Sequence, residues 1–400
     1  MSGSKIMEKV RFGIIGLGNQ GSAYIFNIFG KDKVENGYIS ALCDNNPEKI
    51  KNVKARLQDK SIEYFTDYKE MLDSGLCDAV LVETPHYQHP EIVIECLKRD
   101  INVLCDKPAG VYAKQVAEMN AAAEKSKALM GIMFNQRTNC VYRKMREIVA
   151  QGGIGEIQRV NWIITDWFRT QHYYDMGSWR ATWKGEGGGV LINQCPHQLD
   201  LVQWVVGKMP VSVNGFCKYG RWHDIEVEDE VTAYFEYDNG ATGVFITTTG
   251  EAPGINRFEI SGTRGRVTCE NGRLFYTRCE EDSAEVCKNS DEAFAVVKSS
   301  VTEVVTDGKN EQHAGIINNF ANAVLGKEPL FVKGTEGING VELMNAIEYS
   351  GWHGGEKVLL PVNPDEYLTE LNKHREKSVE KHADDSAVAD TSDTYAGSGK

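Results

Sequence analysis

The stretch Val10-Arg-Phe-Gly-Ile-Ile-Gly-Leu-Gly-Asn-Gln-Gly-Ser22 decides the fold. Residues 12–16 form an apolar run of the kind buried in a parallel sheet, and residues 22–29 carry the apolar face of a helix. Between them Gly16, Gly18 and Gly21, with Asn19 and Gln20 in the turn, have the spacing that sets a dinucleotide pyrophosphate on a helix N-terminus. The first glycine permits the tight turn, the second lets the backbone approach the phosphates, and the third lets helix and strand pack closely. A second apolar stretch, residues 38–43, leads to Asp44, 23 residues beyond Gly21. A carboxylate there can accept from ribose hydroxyls. Asn45-Asn46-Pro47 brings no Arg or Lys for a ribose phosphate, so NAD is expected rather than NADP.

Outward from this point, residues 8 to about 135 alternate apolar strands (78–83, 101–105, 129–134) with amphipathic helices (91–99, 113–127). That alternation predicts a doubly wound parallel sheet. From about 157 to 300 the texture changes. Segments 160–165, 231–237 and 242–248 are rich in β-branched and aromatic residues, and Asp238-Asn239-Gly240 marks a hairpin between the last two. The expected fold class is therefore α/β: an N-terminal Rossmann sheet plus a C-terminal α+β domain on an open, mainly antiparallel sheet. The expected domains are 1–135 and 136–365, with helices at 313–325 and 340–350 returning toward the first. Residues 377–400 read as a disordered tail from their charged, then Ser/Ala/Asp/Gly-rich composition.

Four hundred residues are too many for one ordinary core. An apolar fraction of 41% and a charged fraction of 25% are those of a soluble globular protein. A net charge of -13 without a basic run argues against nucleic acid or an anionic membrane as partner. The polar residues 1–5 leave no room for a signal peptide, and no apolar stretch approaches a membrane span of about 20 residues. The ten cysteines include no Cys-x-x-Cys pair, so reduced thiols and a cytoplasmic location are expected.

The chemistry concentrates in two places. Lys107, in Cys105-Asp106-Lys107-Pro108, follows a strand end and so faces the ligand crevice of an open parallel sheet. Further on comes Trp179-Arg180, then Trp183, Gly187-Gly188-Gly189, Asn193, His197 and Asp200. A helix from Gly189 would put Asn193, His197 and Asp200 on one stripe, with Pro196 suited to an early turn rather than the middle. His86 and His89 lack a third ligand nearby, so no metal is expected. The acidic run at 226–230 reads as a solvated turn before a strand.

These motifs, in this order, resemble the Gfo/Idh/MocA family, the glucose–fructose oxidoreductase and inositol dehydrogenase relatives, from about Lys9 to Leu360. The family's Glu-Lys-Pro appears here as Asp106-Lys107-Pro108. Its Gly-Gly-Gly-x-x-x-Asp-x-x-x-His-x-x-Asp appears with Asn193 in place of the first Asp. Thr84, Pro85 and His89 look like its segment beside the nicotinamide ribose. The resemblance implies hydride transfer from a secondary carbinol of a sugar, polyol or glycoside to NAD, with C3 of a glucoside as an extension. Lys107 and His197 would handle the hydroxyl proton, and Asn193 would sit beside them. An amide cannot stabilise an imidazolium by charge, which leaves Asp200 or nothing for that role. Trp167, His172, Tyr173, Tyr174, Trp179 and Arg180 have aromatic faces and polar edges suited to a pyranose wall. The resemblance also implies a homo-oligomer through the open sheet face. Two other functions share this fold: redox-neutral NAD-dependent glycoside cleavage, and NAD-binding regulation without catalysis.

Overall fold

The computed structural model describes residues 8–379 and 381. Six parallel strands form the first sheet: β1 (Val10–Ile15), β2 (Gly37–Cys43), β3 (Glu63–Phe65), β4 (Ala79–Val82), β5 (Asn102–Cys105) and β6 (Met130–Ile132). Their order is β3-β2-β1-β4-β5-β6, with every neighbouring pair parallel. β4 is buried along its whole length, as expected for a central strand covered by helices on both faces. The chain runs outward from β1 to β3, then crosses back to β4. The carboxyl ends of β1 and β4 therefore flank the switch-point crevice where ligands bind in such sheets.

Nine strands form the second sheet: β7 (Ile157–Ile164), β8 (Ser212–Tyr219), β9 (Glu228–Glu236), β10 (Thr242–Thr248), β11 (Asn256–Gly262), β12 (Gly265–Glu270), β13 (Arg273–Cys279), β14 (Ser299–Glu303) and β15 (Val358–Leu359). The order is β14-β13-β12-β11-β7-β10-β9-β8-β15. All its neighbours are antiparallel except β7 with β10, so the sheet is mixed. Asp238-Asn239-Gly240 does turn β9 into β10, with Gly240 at φ +81°. On the inner face Trp162 stacks on Phe258 with ring centres 4.2 Å apart and meets Phe245 edge-on. Trp162 is wholly buried, so its loss to alanine would cost about 3–5 kcal/mol.

Helices Cys140–Ala150, Pro196–Val206 and Gly337–Trp352 cover that inner face. Helix Gln312–Val324 returns to the first sheet, where its Asn318 accepts from Glu35 N and donates to the Lys33 carbonyl. The tail expected from Lys377 lies, for the most part, outside the described residues. Lys377 itself closes helix Pro364–Lys377, and Ser378 and Val379 donate to the Glu226 carboxylate.

Candidate active site

The glycine turn has three different geometries. Gly16 sits at φ +99°, and a Cβ there would lie 2.4 Å from the Glu83 carbonyl oxygen. A Cβ on Gly21 would lie 2.0 Å from the Gly16 carbonyl oxygen, so the helix start packs directly on the turn. Gly18, between them, meets nothing within 4 Å. It is the N-cap of helix Asn19–Ala23 and, having no side chain, leaves its own backbone open there. Open backbone at a helix start is what a pyrophosphate requires, and Asn19 and Gln20 lie in that first turn.

Asp44 follows β2 and is buried. One carboxylate oxygen accepts from Leu17 N at 2.8 Å and the other from Asn46 N at 2.9 Å, which folds the carboxylate over the glycine turn. Lys49, overlooked in the sequence, stands 3.7 Å from Asp44. Thr84, just past β4, has a buried hydroxyl without a protein partner, and Pro85 follows it. His89 is a clip: Nδ1 faces the Pro108 carbonyl at 2.8 Å and Nε2 faces the Thr84 carbonyl at 2.6 Å. Its ring nitrogens are thus used by the protein rather than offered to a cofactor. Asp106 accepts from Lys107 N at 2.8 Å. Burial, then the neighbouring Asp106 carboxylate, pushes the Glu83 carboxyl well above the ordinary range.

The single helix expected from Gly189 is two. Helix Val190–Asn193 ends, Cys195 N reaches back five residues to Val190 O, and Pro196 opens helix Pro196–Val206. Proline has no N–H to continue the ladder but suits the first position of a new helix. The break turns the Asn193 carbonyl toward Lys107, whose ammonium donates to it at 3.2 Å. His197, in the first turn of the second helix, has a buried Nδ1 without a hydrogen-bond partner. Burial, then the Lys107 charge and His313, holds its pKa well below the ordinary value, so the ring is neutral near pH 7.

Asp200 does not serve His197. It lies 1% exposed in a bidentate pair with Arg137, whose Nε and Nη2 donate at 2.8 and 2.6 Å while Nη1 donates to Glu336. The aromatic wall divides. Trp179 meets His86 edge-on at 5.7 Å, and Arg180 lies over both Trp179 and Tyr173 and donates to the Tyr173 hydroxyl at 3.0 Å. Tyr173 in turn donates to Asn193 Oδ1 at 3.2 Å. Tyr174 belongs to the core instead: it is buried, and its hydroxyl donates to Thr249 at 2.8 Å. Trp167 is half-buried against the core, and His172 is exposed. The acidic run is no solvated turn: Glu228 and Asp229 are fully buried. Glu228 accepts from Gly189 N and Leu191 N, and so caps the helix that carries Asn193. Among the described residues, no three His, Cys, Asp or Glu side chains cluster as metal ligands.

Residues 10–134 match the model of an oxidoreductase family with an NAD-binding Rossmann fold, and residues 142–268 match the Gfo/Idh/MocA C-terminal domain. The chain belongs to the Gfo/Idh/MocA oxidoreductases and binds NAD. It is 24% identical over 271 residues to a myo-inositol 2-dehydrogenase of Thermotoga maritima, covering 66% of this chain and 76% of that one. The WlbA dehydrogenase of Bordetella pertussis, solved with NADH and UDP-GlcNAcA, is 25% identical. It superposes with a TM-score of 0.71 over 89% of this chain and 100% of its own. A levoglucosan dehydrogenase with NADH and levoglucosan, 19% identical, shares the fold with a TM-score of 0.73 over 88% of this chain and 100% of its own. No helix among the described residues is long and apolar enough to cross a membrane.

Proposed function

We propose that this protein oxidises a secondary hydroxyl of a sugar, glycoside or polyol, with NAD as the acceptor. The supporting observation is the unpartnered Nδ1 of buried His197 within electrostatic reach of Lys107, a cation held on the Asn193 carbonyl. Gly16, Gly18, Gly21, Asp44 and Thr84 would hold the cofactor. When bound, NAD supplies the hydride acceptor. Lys107 holds the substrate oxygen as negative charge develops on it. Neutral His197 takes the hydroxyl proton, which a charged imidazole could not do. Trp179 and Arg180 form the wall against which the carbohydrate lies. The names of the inositol and levoglucosan dehydrogenases support this substrate class. Oxidation at C3 of a glucoside is the finer form of the proposal.

Lys107→Ala and His197→Ala test it: each should lower kcat/KM by at least about 100-fold with the fold intact. Near-normal kcat/KM in both would remove the pair from the chemistry.

We further propose domains at 1–135 and 136–365, a cytoplasmic location that ten free thiols would suit, and a homo-oligomer. The open sheet face supports the last, because Ile163, Val244, Ile246 and Tyr234 lie half-exposed on adjacent strands. Light scattering after gel filtration would give a dimer mass or greater; a monomer would refute it.

A further inference from the structure

Between the triple glycine and the tryptophan wall stands a carboxylate that the reaction as described does not use. Glu186 is 2% exposed, although among the described residues no cation makes an ion pair with it. Its Oε2 accepts from Ala181 N at 2.6 Å, and its Oε1 accepts from the Asn193 side-chain amide. Its backbone carbonyl faces His86 Nδ1 at 3.3 Å. A buried carboxylate is costly, and one held by a backbone N–H and a single amide has a reason to be there.

The geometry has a direction. An ionised carboxylate only accepts, so Asn193 must turn Nδ2 toward Glu186 and Oδ1 away. Oδ1 then accepts from Tyr173 Oη at 3.2 Å and from Gln194 Nε2 at 3.0 Å. With its proton committed, the Tyr173 hydroxyl is left to accept from Arg180 Nη1 at 3.0 Å. The chain therefore runs from the Arg180 guanidinium through Tyr173 and Asn193 to Glu186. It is anchored on the residue whose carbonyl receives Lys107. Were Glu186 protonated or amidated, Asn193 could flip and the order downstream would be lost.

We infer that Glu186 is a positioning residue for the reaction, fixing through Asn193 the hydrogen-bond order that presents Tyr173, Arg180 and Lys107 to the substrate. The inference rests on the carbohydrate oxidation proposed above. The charged groups facing the carboxylate are Arg180 and Lys107, with the buried Glu228 as the nearby like charge and the Tyr174 and His86 rings alongside. Burial raises the Glu186 carboxyl, opposed first by Arg180 and then by the Ala181 and Asn193 hydrogen bonds.

The test has two independent readouts. In full-length protein labelled with 15N at asparagine, the Asn193 side-chain amide is assigned by its loss in Asn193→Asp. Its signal should shift as pH falls and Glu186 protonates, and that shift should vanish in Glu186→Gln. In kinetics on whichever carbohydrate reduces NAD, Glu186→Gln should lower kcat by about 10- to 100-fold, the range for one hydrogen bond to a charged group. KM for NAD should stay within about twofold, since the cofactor cradle is untouched. Glu186→Gln with Asn193→Asp, which restores a carboxylate beside Lys107, should recover about tenfold of the loss. An Asn193 amide indifferent to pH, or a kcat within about threefold of the parent, would overturn the inference. Should Glu186→Gln fail to fold, Asn193→Asp alone carries the test. Two touching carboxyls then share a proton, and the acid limb of kcat must move up; an unmoved limb refutes positioning equally. If no carbohydrate is oxidised at all, the amide signal still decides the hydrogen-bond order, so the two failures are separable.

Discussion

Adding one methyl group at Gly18 should separate the protein's stability from its grip on NAD. Gly18 has φ −71° and ψ −162°, an extended conformation open to any L-residue, and a Cβ there meets no protein atom within 4 Å. Gly18→Ala therefore adds no strain, and the reduced freedom of the unfolded chain should stabilise the protein by about 0.4–1 kcal/mol. The same methyl stands where the pyrophosphate must approach. Losing one charge-assisted hydrogen bond costs about 1.5–3 kcal/mol, which weakens the Kd for NADH by about 10- to 100-fold. Urea unfolding and an NADH fluorescence titration measure the two quantities on one preparation. Gly21→Ala is the contrast, because its Cβ would sit 2.0 Å from the Gly16 carbonyl oxygen and should prevent native folding. Unchanged NADH affinity in Gly18→Ala would refute the placement of the pyrophosphate. A loss of stability would refute the geometry of the turn.

Arg137→Met leaves the Asp200 carboxylate buried with Gln203 as its remaining side-chain donor, so it should cost about 3–5 kcal/mol in urea unfolding. Adding Asp200→Leu should recover much of that; a double variant worse than either single one would contradict a simple charge pair. Asp44→Asn removes the negative charge beside the ribose while keeping its shape, and Lys49 remains 3.7 Å from that position. Discrimination against NADP, read from the ratio of Kd values, should fall by about tenfold, the worth of a charged hydrogen bond. The His197 pKa is depressed by burial, then by Lys107. As pH falls, the ring therefore stays neutral below 6.5, and an acid limb of kcat/KM due to His197 must lie below its unperturbed pKa of about 6.5. NMR titration of the His197 ring checks this; a midpoint at or above that value would contradict it.

What was legible in the chain was what local chemistry alone determines. Glycine spacing and the run of buried β-branched residues suffice for the first sheet, and Asp238-Asn239-Gly240 for one hairpin of the second. The parallel pairing of β7 with β10 was hidden, because it joins segments far apart in sequence. So was β3, three residues long at the sheet edge with little apolar signal. In the site, Lys107 and His197 were legible from their motifs. The role of Asp200 stayed open because a helical stripe shows which residues share a face but not which partner waits there. Arg137, 63 residues earlier in sequence, takes that carboxylate. Tyr174 read like its neighbour Tyr173, and only the tertiary contact with Thr249 separates core from wall. The run at 226–230 was acidic enough to look solvated, yet Glu228 caps a helix start and Asp229 accepts from Arg221 N and Trp222 N. Glu186 carried no signal beyond its place before the glycines.

The central claim is oxidation of a carbohydrate carbinol by bound NAD. It is tested most directly by following NADH absorbance with purified protein, NAD and a panel of free sugars, inositols and aryl glucosides, with aglycone release read in the same wells. The account predicts NADH formed in step with product on one substrate class, and loss of that signal in His197→Ala. Aglycone freed without NADH, or tight NAD binding with no turnover anywhere in the panel, would contradict it.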